Sequence, residues 1–566
     1  MKRISEEIFS IINGAGALVE RERERERVER REREREGGRE RESEGISMSS
    51  SSSSLFSSSM LLYLVLGVFV AASFVCSFFL SGKPKYASSV SFTDEKDGKK
   101  KKRKLPPLMD CGYVVPGIGG LVKFVQGPLG VMAEAFNKHG DVFTVPVGNK
   151  RMTFLLGPTP ALHFFRGSDE VISQKEVYEF NVPTFGKGVV FDVDHRLRRE
   201  QFKFFAEALR PAKMRSYVGQ MVKEAEAFFD KWGESGELDI LHELSSLIIL
   251  TASRCLLGRE VRENLFEEVY RQFHFLDMGM QPISVLFPYL PIKAHRDRDT
   301  ARKQMSEIFA KIIVNRRAQP ADAPKEEDVL QTFVDARYSE AYGGRQMTTD
   351  EITGMLIAAL FAGQHTSSIT STWTGLYLFS EKYRHKFLPD ILEEQRKIVA
   401  EHGEELNYEI LSKMDFLHRG MKESLRLHPP LIMLMRYVHE AFDCETIKGE
   451  TIHVPRGDII CTSPTFSHRL ESVYKDPDAY DPDRFGPGRE EDKQKPFSFI
   501  GFGGGRHSCM GETFAYMQVK IIWSLLLRKF DFELVSNGGA IPEPDYAAMV
   551  VGPKPPCKVR FTRRKL

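Results

Sequence analysis

The chain has 566 residues, with 80 Lys plus Arg against 78 Asp plus Glu and a formal charge of +2. That near balance gives no electrostatic case for a nucleic-acid partner, and 42% hydrophobic residues suffice for a large core. Seven cysteines, scattered and odd in number, argue against a disulfide framework and fit a reduced, cytosol-facing protein.

Three segments precede any globular pattern. Residues 1–59 combine an Arg/Glu repeat from Glu20 to Gly45 with a Ser-rich tract, and neither can bury a core. They are expected to be a disordered extension without function, with Met48 and Met60 as candidate starts. Residues 60–80 are apolar or small throughout, and about 20 such residues span a bilayer. The run Lys99 to Lys104 follows, so the positive-inside rule places the C-terminal side in the cytosol. A cleaved signal peptide is the competing reading, but the apolar run is long for one. Residues 81–107 read as a basic linker, stiffened at Leu105-Pro106-Pro107.

From residue 108 onward helical periodicity dominates. Val142 to Val147 and Met152 to Leu156 alternate as an N-terminal hairpin. Tyr178 to Asp192 is rich in aromatics and glycines, including Phe180 and Phe185. Core packing is the ordinary explanation for such rings. A long apolar helix is expected over Thr349–Phe379, with Thr348 and Glu351 as a capping box. Its middle reads Ala362-Gly363-Gln364-His365-Thr366-Ser367-Ser368. Glycine, histidine and hydroxyls are costly inside a buried helix, which points to function. Gly363 leaves room beside a flat group, Thr366 can back-bond to a carbonyl and open a groove, and His365 can relay protons. A satisfied core histidine is the competing reading. Glu423 and Arg426 share a helix face at i and i+3, and Arg436 follows the apolar run Leu431 to Met435.

The most informative stretch is Phe502-Gly503-Gly504-Gly505-Arg506-His507-Ser508-Cys509-Met510-Gly511. A lone cysteine in a glycine loop suits presentation of one thiolate to haem iron, where it favours O–O cleavage. The glycines permit positive φ and a close approach to the porphyrin. Phe502 can shield the sulfur, and Arg506 and His507 can reach haem propionates. A helix starting near Gly511 would aim its N–H dipoles at the thiolate. No Lys-Ser/Thr follows the glycines, which removes a phosphate loop, and no paired Cys spacing suggests zinc.

The spacing Phe-x-x-Gly-x-x-x-Cys-x-Gly resembles the haem-binding signature of the cytochrome P-450 superfamily. His507 in place of the usual Arg, the Gly-Gln-His-Thr-Ser helix and the Tyr178–Asp192 loop resemble its sterol 14α-demethylase branch, closest to plant-type members. So do Leu250–Gly258, Asp277–Pro291, Phe514–Tyr516, Ala548–Gly552 and Arg563–Leu566.

The resemblance implies one haem-thiolate catalytic domain over 108–566. It would be mainly α with small β-sheets, and haem b would sit between the long helix and the Cys-bearing loop. Cys509 would ligate iron, with Thr366 and His365 catalytic. His507, Arg436, Tyr178 and Phe502 would hold the cofactor. Phe180, Phe185, Ala362, Met549 and Val550 would touch substrate. Glu423, Arg426 and Arg484 would form a buried structural ion network. A second propionate-binding Tyr of animal and fungal members is Phe191 here, as in plant members. The implied reaction removes a sterol 14α-methyl as formate through three monooxygenations, with obtusifoliol preferred. O2 and NADPH-derived electrons would come through a flavoprotein reductase at an endoplasmic reticulum membrane, single-pass with a cytosolic catalytic domain. The rival readings are a monooxygenase of other terpenoids or fatty acids, and a non-catalytic haem or sterol binding protein.

Overall fold

The computed structural model describes residues 103–112, 116–320 and 322–564. The extension, the apolar segment 60–80 and the linker as far as residue 102 lie outside the described residues. Among the described residues no helix is long and apolar enough to cross a membrane. The elements used below are, in chain order, β1 (Val142–Val147), β2 (Lys150–Leu155), α1 (Pro158–Arg166), β3 (Ile172–Ser173), α2 (His195–Ala208), α3 (Pro211–Phe229), β4 (Ser235–Asp239), α4 (Ile240–Leu256), α5 (Phe266–Met278) and α6 (Lys293–Arg317). They continue as α7 (Thr349–Phe379), α8 (Arg384–His402), α9 (Asp415–Leu427), β5 (Leu434–Val438), β6 (Phe442–Glu445), β7 (Thr451–Val454), β8 (Ile459–Thr462), α10 (Glu512–Lys529), β9 (Phe530–Leu534) and β10 (Lys558–Arg563).

The hairpin is present, with Val142 opposite Leu155 and Val147 opposite Lys150. Its second strand starts two residues earlier than the alternation suggests, because the tight Gly148-Asn149 turn carries pairing into polar residues. A five-stranded sheet runs β1-β2-β8-β5-β3, a three-stranded one β4-β10-β9, and β6 pairs with β7. Part of the segment read as linker docks on these strands. The Pro107 carbonyl accepts from Thr144 N–H at 2.8 Å and the Lys104 carbonyl from His453 N–H at 2.7 Å.

Helix α7 is the axis of the fold. The Thr348–Glu351 capping box closes its start, and at 31 residues it is roughly 46 Å long. Most of its length is buried all round, with Trp373 and the Trp523 ring of α10 in the main core. A Cβ at Gly354 would lie 2.4 Å from the Phe185 carbonyl oxygen, so glycine there lets the Val182–Phe185 turn rest on α7.

The Glu423–Arg426–Arg484 group fixes the segment leading to the Cys509 loop. Arg426 donates to both Glu423 oxygens at 2.7 and 2.8 Å, and Arg484 Nε donates to Oε1 at 2.9 Å. All three side chains are fully buried. Arg426 also donates to the carbonyls of His468 and Pro477, which ties α9 to the 468–491 segment.

Candidate functional site

The Cys509 loop is folded by its own backbone. Cys509 N–H donates to the Phe502 carbonyl at 2.8 Å, and Gly503 N–H to that of Ile500 at 2.9 Å. Gly503 and Gly505 have φ of 72° and 62°. A Cβ at Gly505 would fall 2.0 Å from the Phe165 carbonyl oxygen, so glycine is required there for α1 to pack on the loop. Gly504 departs from the sequence reading. It is extended, and the space beside it is taken by the Phe497 ring, so its closeness serves packing within the protein.

Helix α10 starts at Glu512 after Gly511, as expected. Although Cys509 reaches the surface, desolvation of its sulfur by the surrounding loop pushes the thiol up, while the amides of Gly511 and Glu512 at this helix start pull it down. Of the described cysteines, Cys509 alone is exposed; the other five are buried, and burial raises each thiol. The Phe502 ring packs on Tyr516 at 5.1 Å, and its carbonyl, described above, holds the Cys509 amide.

In α7, burial gives way around the middle, at Ala358–Ala359 and, past buried Leu360, at Phe361–Thr366. Phe361 to Thr366 open onto a groove and Ala362 is exposed, whereas Glu351–Ile357 and Ser367–Phe379 are buried. Thr366 Oγ1 donates to the Ala362 carbonyl at 2.6 Å, and the helix runs on without a break. His365 Nε2 meets Asp277 Oδ1 of α5 at 2.9 Å. Nothing lies within 4 Å of a Cβ placed on Gly363.

The roof of this groove is the Tyr178–Phe191 segment. Rings follow one another from Phe361 to Phe185 (5.9 Å), Phe185 to Phe191 (6.2 Å) and Phe191 to Tyr178 (5.3 Å), with Phe180 6.4 Å from Tyr178. The Tyr178 hydroxyl accepts from Met435 N–H at 3.2 Å, joining roof to β5. Met549 and Val550 lie in a bend fastened to the same region. Val551 N–H donates to the Pro430 carbonyl at 2.8 Å, and Gly552 rests against Ile369 of α7.

Arg436 is buried in β5, opposite Ile460 of β8, and burial lowers its pKa to about 10. His507 Nε2 meets Asp169 Oδ1 at 2.8 Å, and the same oxygen accepts from Arg198 of α2 at 3.0 Å. Burial pushes the Asp169 carboxyl up, but the His507 bond and the Arg198 charge outweigh it and hold the group low. Sequence reading missed Asp277, Asp169 and Arg198. The signal was present in principle, because a histidine in an apolar helix needs a partner, but nothing in the sequence says which residue supplies it.

Two observations test whether these residues fit a haem. Arg436 Nε is buried without a partner, a donor that an anionic porphyrin edge would satisfy. The open space at Gly363 leaves room for a flat macrocycle. The residues fit.

A glycine loop carrying one exposed cysteine, a long helix uncovered at Phe361–Thr366 and a buried unpartnered Arg436 donor are together the features of the haem-thiolate monooxygenase class. The family model described as Cytochrome P450 matches residues 109–561, and the chain belongs to that family. Its cofactor is therefore haem with a cysteine thiolate ligand, used with O2 and reductase-derived electrons. The chain is similar to the obtusifoliol 14-alpha demethylase of Sorghum bicolor, 57% identical over 466 residues, 82% of this chain and 92% of that one. The sterol 14-demethylase of Arabidopsis thaliana is 56% identical over 82% of this chain and 93% of its own. The lanosterol 14-alpha demethylase of Rattus norvegicus is 39% identical over 80% and 86%. Retinoic acid bound cyanobacterial CYP120A1 shares the fold, with a TM-score of 0.69 at 24% identity over 82% of this chain and 100% of that one.

Proposed function

We propose that this chain is a sterol 14α-demethylase that prefers obtusifoliol. It removes the 14α-methyl group by three successive oxidations to alcohol, aldehyde and formate, leaving a 14–15 double bond. The observation that carries the substrate reading is the gradient of likeness. Identity is 57% to an obtusifoliol demethylase and 39% to a lanosterol demethylase.

When bound, the haem supplies O2 activation through its thiolate-ligated iron. Cys509 gives the sulfur, its amide held by the Phe502 carbonyl so that the loop keeps one geometry. Arg436, His507 and Tyr178 form the polar rim that takes the haem carboxylates. Phe180, Phe185, Ala362, Met549 and Val550 make the apolar walls that orient the sterol and exclude water. Thr366 and His365 manage protons. The His365 Nε2 proton is shared with Asp277 Oδ1, whose carboxylate is 35% exposed, so it can be replaced from solvent. Glu423, Arg426 and Arg484 hold the core behind the loop. An NADPH-dependent flavoprotein reductase delivers electrons on the Cys509 side. Residues 60–80 anchor the enzyme in the endoplasmic reticulum membrane as a single span, with residues 108–566 on the cytosolic side.

The test uses membranes carrying the full chain, reductase and NADPH, offered obtusifoliol or lanosterol. Formate is expected from obtusifoliol at the higher rate. Release from neither sterol overturns the reading. Cys509→Ala is expected to lose the thiolate-type carbon monoxide band and all formate release.

A further inference from the structure

The roof of the groove contains a backbone conformation that its sequence should avoid. Val190 has a φ of 49° and is 6% exposed. Glycine takes the other positive φ values of this loop, 103° at Gly186 and 75° at Gly188. A β-branched residue in that region is an outlier, because its Cβ crowds the following carbonyl oxygen. It persists only where the surroundings impose it.

Gln201 of α2 supplies the constraint. Its side chain is buried, its Oε1 accepts from Val190 N–H at 3.1 Å, and its Nε2 donates to the Gly188 carbonyl at 2.8 Å. The second Nε2 hydrogen goes to the Tyr338 hydroxyl at 3.2 Å, which in turn donates to Glu351 at 3.1 Å. Every polar atom of the amide is used. Reversing it would set oxygen against the Gly188 carbonyl and nitrogen against the Val190 N–H. Asp192 closes the same turn, its Oδ2 accepting from Gly188 N–H at 2.7 Å and its N–H donating to the Val189 carbonyl at 3.0 Å.

The consequence falls on the next residue. The Phe191 ring is the middle one of a row, 6.2 Å from Phe185 and 5.3 Å from Tyr178. Were Val190 to relax to negative φ, the chain would leave the turn in another direction and carry that ring out of the row.

We propose that Gln201 is a positioning residue for substrate: its amide holds Val190 in the left-handed turn, and that turn keeps Phe191 in the roof beside Phe185. The inference rests on the reading of this roof as a sterol wall and adds what sets its shape. Gln201 acts through the loop.

The experiment uses the haem-loaded full chain and reads sterol affinity from the haem absorbance shift on titration with obtusifoliol. Imidazole, an iron ligand without the sterol's apolar body, is titrated in parallel. Gln201→Met is expected to raise the obtusifoliol dissociation constant by about tenfold or more, the scale on which an apolar pocket responds to a lost contact, and to leave that of imidazole unchanged. Tyr338→Phe removes the hydroxyl beyond Gln201 and should leave both constants unchanged. Phe191→Ala should weaken obtusifoliol binding by itself, and Gln201→Met added to it should cost little more. An unchanged sterol constant in Gln201→Met overturns the proposal. So does equal weakening of both ligands, an equal loss in Tyr338→Phe, or full additivity with Phe191→Ala. The amide would then act through the whole fold, through the start of α7, or apart from the roof ring. If Gln201→Met does not hold haem, Gln201→Asn, whose amide is too short to bridge Gly188 and Val190, is put through the same comparisons. If obtusifoliol gives no shift in the native chain, the sterol reading of the groove fails. Hydrogen exchange at the Val190 amide, expected to be faster in Gln201→Met, then still decides whether Gln201 holds the turn.

Discussion

Asp277 Oδ1 lies 2.9 Å from His365 Nε2 and joins the last turn of α5 to the middle of α7. The pair sits where α7 opens onto the groove, and both side chains are about one third exposed. A buried relay would have no source of protons. This one has a carboxylate at the surface and an imidazole in the groove.

His365→Ala should therefore lower sterol turnover by about 10²-fold or more, the usual contribution of a placed proton donor. Asp277→Asn should act in the same direction but more weakly, since the imidazole remains. The measurement is formate released per NADPH consumed, which falls if oxygen is activated without productive protonation. An unchanged ratio in His365→Ala would remove the histidine from the mechanism.

Phe180 stands in the roof beside Tyr178, and on the proposed reading a smaller side chain there would make room at the sterol. Phe180→Leu should raise the rate on lanosterol relative to obtusifoliol by about tenfold, within the range one methyl group commands in an apolar pocket. Competition between the two sterols in one reaction reads this ratio directly.

Glu423 bridges two arginines that have no access to water, and Glu491 supplies the second negative charge, on Arg484. Glu423→Gln leaves Arg426 without a carboxylate and Arg484 with Glu491 alone, and should cost about 3–5 kcal/mol of stability. Denaturant unfolding of the haem-loaded protein checks it. A variant as stable as the native chain would mean that the surrounding carbonyls suffice.

His468 connects α9 to the Cys509 loop. Its Nδ1 faces the Arg426 carbonyl at 3.1 Å, and its Nε2 accepts from Ile500 N–H at 2.8 Å. Nε2 must stay unprotonated to accept, and burial lowers the pKa from 6.5 to about 3. The unfolded chain therefore takes up this proton first. The stabilisation is complete above pH 6.5 and is lost as pH falls towards about 3, at about 1.4 kcal/mol per pH unit. Melting temperatures between pH 7.5 and 5.5 should fall, and His468→Gln should flatten the slope by about one proton. An unaltered slope would assign the effect to other buried histidines, such as His418, which burial brings to about 4.

Much of the frame was legible because its signals are local. The Thr348–Glu351 box and an apolar run with no polar face gave α7 its limits, and the Cys509 loop carried its meaning in ten consecutive residues. The Glu423–Arg426 pair was visible as i and i+3 on one helix. What stayed hidden was pairing across distance. Asp277 and His365 are 88 positions apart, and Asp169 and His507 are 338 apart. Nothing in either aspartate's neighbours distinguishes it from a solvated surface residue. Gly504 misled for a related reason. A glycine shows that something comes close, but only the fold shows that it is Phe497.

The three-stranded sheet sets an order of events during synthesis. Strand β4 pairs only with β10, and Arg560 meets Glu237 across 323 positions. While the ribosome makes everything between them, β4 has an unsatisfied edge and the helices on either side of it cannot be locked. A nascent chain stopped before Lys558 would keep its sulfur loop and its long helix yet leave that edge open, a target for proteolysis or clumping.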